Sequence, residues 1–185
     1  MGQRTELFVV EKFRDERGRK IGYNVYSRYY QWGIGWTMPI HILAGVLAAY
    51  QGGYYDGIHI KDILPEVCNA CTHDRVIPES ISWERLVNDI DRAWNNNGAI
   101  VVQIDNRRDK SGYGCRPVIN ISFMLGPEDA GTIGKKAGAQ ISRKEWVQLN
   151  RDYMDSDTRE FFRRSIKYVS ELGPIKVNFK FDEKF

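Results

Sequence analysis

Arg4-Thr5-Glu6-Leu7-Phe8-Val9-Val10-Glu11-Lys12-Phe13 is the stretch on which the fold turns. Polar and apolar residues alternate along it, with Thr5, Leu7 and Val9 on one face, and a period of two belongs to a strand. Arg14-Asp15-Glu16-Arg17-Gly18-Arg19-Lys20 follows as a charged turn, after which Ile21 to Tyr30 alternates again. Two such runs about one glycine-bearing turn predict a hairpin.

Outward from the hairpin, Thr37 can cap a helix that Pro39 is suited to begin and that runs to about Tyr50 before Gly52-Gly53. Its apolar residues, Ile40, Ile42, Leu43, Val46 and Leu47, go nearly all round, which predicts burial. Ile58, Ile60 and Ile63 suggest a short strand within an irregular stretch from Tyr54 to Pro78. Ser82 caps a second helix with Trp83, Leu86, Val87, Ile90 and Trp94 on one face, stopped by Asn95-Asn96-Asn97-Gly98. Strands are predicted over Ala99 to Ile104 and Val118 to Leu125.

The last third has clear boundary chemistry. Ser142-Arg143-Lys144-Glu145 is a capping box, a further helix spans Asp157 to Leu172 before Gly173-Pro174, and Ile175 to Phe181 alternates as a final strand. The order ββα, αββ, ααβ lacks a βαβ rhythm. It predicts a single α+β domain over residues 1–185, a mainly antiparallel sheet with about four helices packed on it.

Composition narrows the function classes. The chain has 185 residues, 27 basic against 24 acidic, and the net charge of +3 is too small for general nucleic-acid affinity. No run of about 18 apolar residues occurs, so no membrane association is expected, and the N-terminus lacks a signal-peptide pattern. Three cysteines, an odd count, argue against a disulfide framework. Cys68-Asn69-Ala70-Cys71-Thr72-His73 pairs two cysteines at a spacing that zinc sites use, and His73 and Cys115 could complete four ligands. A second close-spaced ligand pair is missing, so neither a metal nor any other cofactor is expected. The histidines, His41, His59 and His73, sit in no Gly-x-Ser-x-Gly or His-Glu-x-x-His motif, and nothing recruits a catalytic mechanism.

Two segments suit an anion. Gly126-Pro127-Glu128-Asp129-Ala130-Gly131-Thr132-Ile133-Gly134-Lys135-Lys136-Ala137-Gly138 follows a strand and precedes a capped helix, the setting of phosphate loops, with Lys135 and Lys136 adding charge. Asn106 to Arg116 reads as a long loop between two strands. Arg107, Arg108 and Arg116 offer forked donors there, and Tyr113 a stacking ring. The bland reading of each is a solvated surface loop, as is that of the Arg159, Arg163, Lys167 stripe on the late helix.

Met1-Gly2-Gln3-Arg4-Thr5-Glu6-Leu7 and Tyr29-Tyr30-Gln31-Trp32-Gly33-Ile34-Gly35 together resemble small phage-encoded proteins that begin Met-Gly-Gln-Arg-Thr-Gln-Leu and carry His-His-Gln-Trp-Gly-Phe-Gly. The likeness extends to Asn95 to Val102 and Phe123 to Asp129. Tyr29 and Tyr30 replace the two histidines, so histidine-dependent chemistry would be lost while a ring that stacks is kept. The resemblance implies a viral context and, by analogy of context, a counter-defence role in the cytoplasm of an infected host. The expectation is a non-catalytic binder of a small anionic nucleotide-type ligand, in a pocket lined by Arg4, Tyr29, Tyr30, Gln31, Trp32, Arg107, Arg108, Tyr113, Arg116, Lys135 and Lys136. The alternatives are an inhibitor that binds a host defence protein directly and a nucleotide-cleaving enzyme; a homo-oligomer is compatible with each.

Overall fold

The computed structural model describes residues 5–30, 74–77, 98–108, 115–149, 156–171 and 176–179. Strand β1 (Thr5–Arg14) and strand β2 (Lys20–Tyr30) form the expected hairpin, pairing from Thr5 opposite Tyr30 to Phe13 opposite Gly22, with a bulge between Phe13 and Arg14. The turn is fastened by Asp15, whose Oδ1 accepts from the Arg17 and Arg19 amides at 2.9 and 2.8 Å.

β3 (Asp74–Ile77) adds antiparallel to β2, and β4 (Ala99–Arg108) lies parallel to β1 on its other side. β5 (Cys115–Met124) pairs antiparallel with β4. The short strands β6 (Gln140–Ile141) and β7 (Lys176–Asn178) both pair with β5, β7 in parallel. The order is β3-β2-β1-β4-β5-β6, with β7 beside β5. Three helices are described, α1 (Pro127–Ile133), α2 (Arg143–Leu149) and α3 (Ser156–Glu171). The α2 capping box forms as expected: the Ser142 amide donates to Glu145 Oε2 at 2.8 Å and the Glu145 amide to Ser142 Oγ at 3.2 Å.

The expected α+β class, with about four helices packed on the sheet, is corrected. Among the described residues the fold is mostly sheet, curled as a half-barrel, and α1 and α2 are helices of only seven residues each. The physical reason lies in the central strands. Alternation in β1 predicts one wet face, yet from Leu7 to Lys12 in β1 and from Ala99 to Asp105 in β4 both strands are buried on both faces. The helices expected from Thr37 and from Ser82 lie outside the described residues.

The sheet's two faces differ in chemistry. One carries Leu7, Val9, Ile100, Val102, Ile104, Ile119, Ile121 and Phe123, all buried, with Phe179 stacked on Phe123 at a centroid distance of 6.4 Å. The opposite face carries Phe8, Val10 and Val101, then turns polar: Lys12, Gln103, Asp105, Asn120 and Ser122 are buried there. Cross-strand partners fix that grouping, because Val10 opposes Gln103, Lys12 opposes Asp105, Gln103 opposes Asn120 and Val101 opposes Ser122.

Gly98 admits β4 to this arrangement. Its φ is +80°, and a Cβ there would stand 1.9 Å from the Met124 carbonyl oxygen and 2.6 Å from the Gly126 nitrogen. Gly98→Ala is therefore expected to cost at least about 2 kcal/mol, strain and clash together. Gly18, with φ +75° and no atom within 4 Å of a built Cβ, should cost only about 1 kcal/mol as alanine. Urea unfolding of both variants checks this; equal losses would leave close approach at Gly98 without effect.

Candidate functional site

The polar face converges on Asp105. This residue is 2% exposed, in phase with Val101 and Gln103 on a strand otherwise suited to a core. Burial of an ionised carboxylate demands counter-charge. Arg14 supplies it as a fork, Nε to Oδ1 at 2.6 Å and Nη2 to Oδ2 at 2.7 Å. Arg107, two residues along the same strand, donates Nε to Oδ2 at 2.9 Å, and Lys12 Nζ stands 3.7 Å away. Arg14 Nη1 also donates to the Gly18 carbonyl at 2.6 Å, tying the site to the hairpin turn. On the other face Asn106 Nδ2 donates to Glu11 Oε1 at 3.3 Å.

The titration of these groups follows from their surroundings. Burial pushes the Asp105 carboxyl up, but hydrogen bonds from Arg14 and Arg107 and the charges of Lys12 and Arg14 outweigh it, holding the group below its usual 3.8. Burial likewise lowers Lys12 from 10.5; Asp105 opposes this, and Arg14, Lys20 and Arg107 reinforce it. Asp105 thus stays ionised and engaged, which suits a charge anchor and not a proton shuttle.

The anchor sits where four strand ends meet. Parallel pairing brings the last residues of β1 and β4 together, and antiparallel pairing adds the first residues of β2 and β5. Arg107 faces Arg116 across β4 and β5, and Arg108 faces Cys115. Arg107, Arg108, Arg116 and Lys20 are exposed, and Lys20 Nζ lies 3.9 Å over the Tyr23 ring. Among the described residues cations outnumber carboxylates at this end, and an exposed guanidinium held by an ionised neighbour, as Arg107 is by Asp105, is a preset fork for phosphate or carboxylate.

The expected loop from Asn106 to Arg116 is shortened accordingly. β4 continues to Arg108 and β5 begins at Cys115, because long basic side chains at strand ends still reach water. Arg107, Arg108 and Arg116 are thereby brought to one end of the paired strands, Arg107 and Arg116 on one face and Arg108 on the other.

Lys135 and Lys136 stand elsewhere. Their segment leaves the sheet at Leu125 and returns at Ala139, at the far end of β5. At ten residues, β5 separates them from Arg116 by about 30 Å. The glycine-rich segment is no phosphate cradle either: its first half is helix α1, ended by Gly134 at φ +66°. The amides of Ala130, Lys135, Gly138 and Ala139 donate to protein carbonyls. Lys135 Nζ pairs with Glu145, and that contact, with the Ser142 hydrogen bonds, lowers Glu145 to about 2.

Tyr29 and Tyr30 close β2 opposite Glu6 and Thr5, at this same far end. Arg4, Gln31, Trp32, Tyr113, Cys68, Cys71 and His73 lie outside the described residues. The structure therefore brings Arg107, Arg108 and Arg116 together and does not join Tyr29, Tyr30, Lys135 or Lys136 to them. The late-helix stripe is engaged with its own carboxylates, Arg163 and Arg164 on Glu160 and Lys167 near Glu171.

Sequence reasoning missed Lys12, Arg14 and Asp105. A signal existed: Lys12 and Asp105 each fall in phase with core residues of their strand. Among the described residues no three metal-ligating side chains cluster, and no helix is long and apolar enough to cross a membrane. Compared with protein-family models, curated proteins and solved structures, the chain matches none.

Asp105→Asn strips the counter-charge from Lys12, Arg14 and Arg107. Removing one partner of a buried ion pair costs about 3–5 kcal/mol, and the low end applies because Arg107 is 53% exposed. A carboxylate with a depressed folded pKa stabilises fully above its unfolded value and loses that contribution as pH falls through the folded one. The gap between wild type and Asp105→Asn, followed by denaturant unfolding, should be widest near neutrality and close as pH drops below 3.8.

Proposed function

We propose that this chain is a phage accessory protein of the host cytoplasm that binds and sequesters a small nucleotide-derived anion without catalysis. The observation that carries the reading is the exposed set at the shared end of β4 and β5, Arg107 and Arg116 paired on the face of the ionised Asp105 and Arg108 on the opposite face. Arg107, held by Asp105 through Nε, is a forked guanidinium that loses little entropy on meeting a phosphate. The carboxylate beneath it has its oxygens occupied, which suits retention of a ligand better than proton transfer to one. The phage context and the nucleotide class come from the sequence resemblance and its analogy of context, and the basic strand end supports an anionic ligand.

Binding should weaken as salt rises, because the contacts are charge-assisted and exposed to screening. Arg107→Ala, Arg108→Ala and Arg116→Ala should each lose about 1–3 kcal/mol of affinity in calorimetric titration. The double change of Lys135 and Lys136 to alanine should leave affinity unchanged, since those residues sit at the far end of β5. Heat-denatured complex should release the ligand intact. Recovery of a cleaved product would replace this reading with an enzyme, and capture of a host defence protein with no nucleotide bound would replace it with a protein inhibitor.

A further inference from the structure

Neighbouring strands from β2 to β7 each deliver a cation to one end of the sheet. Lys20 of β2 pairs with Arg14 of β1, and Lys12 of β1 stands opposite Asp105 of β4. Arg107 of β4 is opposite Arg116 of β5, and Lys176 of β7 is opposite Val118, which in turn opposes Asp105. Directly paired residues share a face, so Lys12, Arg107, Arg116 and Lys176 lie on the face of Asp105. Arg14 reaches that carboxylate, and Lys20 Nζ lies over the ring of Tyr23, the partner of Lys12, which brings both to the same face.

Among the described residues Asp105 is the one carboxylate set against this row, and it is already engaged by Arg14, Arg107 and Lys12. The hairpin turn adds Asp15 and Glu16 but also Arg17 and Arg19, and these cancel. Lys12 registers the surplus: burial lowers its pKa, and Arg14, Lys20 and Arg107 lower it further against the pull of Asp105. Lys20, Arg107, Arg116 and Lys176 are exposed, and Arg116 and Lys176 make no hydrogen bond or ion pair among the described residues.

The row is longer than a single phosphate needs. Strands stand about 4.8 Å apart, so from Lys20 on β2 to Lys176 on β7 it crosses the sheet for about 19 Å. A pyrophosphate seated between Arg107 and Arg116 spans one strand interval, whereas a phosphodiester chain laid across the strands meets a cation on each. The whole protein carries a net charge of only +3, so this basicity is local and suits a short chain. Tyr23 is 8% exposed beneath Lys20, and no other described aromatic ring stands in the row, so charge along the backbone is offered a partner and base stacking is not.

We infer that this row binds a short single-stranded oligonucleotide by its phosphodiester backbone, laid across β2, β1, β4, β5 and β7, with little regard to base. This rests on the anion-binding reading above and adds that several phosphates in succession are recognised, and not one nucleotide.

The test is calorimetric titration of the full chain with inorganic pyrophosphate, UMP, and the uridylate dimer, tetramer and hexamer. The tetramer should bind at least about tenfold more tightly than UMP, with little further gain in the hexamer. Its binding constant should fall with salt at a logarithmic slope of about −2 to −3, steeper than for UMP. Lys20→Ala and Lys176→Ala should each flatten that slope by about 0.7 and weaken the tetramer severalfold, with UMP affinity unchanged. Lys20→Arg should keep the wild-type slope. A lysine that only packs on Tyr23 would instead lower the melting temperature and leave the slope alone. Equal affinity for UMP and the tetramer, or a tetramer indifferent to both alanine variants, would overturn the row and leave anion binding standing. An adenylate tetramer of very different affinity would overturn backbone recognition, and hexaglutamate binding as tightly as the uridylate tetramer would replace the oligonucleotide with an acidic peptide. Failure of every probe, pyrophosphate included, would overturn both readings.

Discussion

Lys12 opposite Asp105, in the parallel pairing of β1 with β4, sets the terms for the rest of the molecule. Parallel strands buried on both faces are normally apolar throughout, and here a carboxylate stands in the pair. It is tolerable only because the register delivers Lys12 beside it and Arg14 onto both its oxygens. A slip of one residue would send Glu11 to the Asp105 face and Lys12 to the apolar one. The charge cluster therefore specifies alignment at least as much as it contributes stability. The bulge at Phe13 and Arg14 belongs to the same arrangement, since it frees Arg14 from strict alternation as it reaches across to β4.

Local features of this fold were legible in sequence, and long-range ones were not. Alternation locates β1 and β2, β-branched residues locate β4, and the Ser142 to Glu145 capping box is readable letter by letter because its partners are three residues apart. The alternation also misled. Lys12, Gln103 and Asp105 look like the wet side of a strand until a second layer of burial is known, and that information lies in residues about ninety positions away.

The candidate site shows the same division. Arg107, Arg108 and Arg116 are identifiable by charge density, but as parts of a long solvated loop; pairing across β4 and β5 makes them strand residues. Lys135 and Lys136 were grouped with them because both segments adjoin β5, and sequence does not reveal which end of a strand is which. Antiparallel pairing puts them at opposite ends.

The distance in sequence between β1 and its β4 partner also governs how the chain is born. Arg14 and Asp105 are 91 residues apart, so at ribosomal speed the β1–β2 hairpin waits roughly 5–20 seconds for β4 to be made. During that interval one long side of β1 is an unpaired edge, open to pairing with any other nascent strand. Lys12 and Arg14 then have no Asp105 to meet, and their bare charges repel a second copy presenting the same edge. The residues that later hold the carboxylate first serve as guards against misassembly.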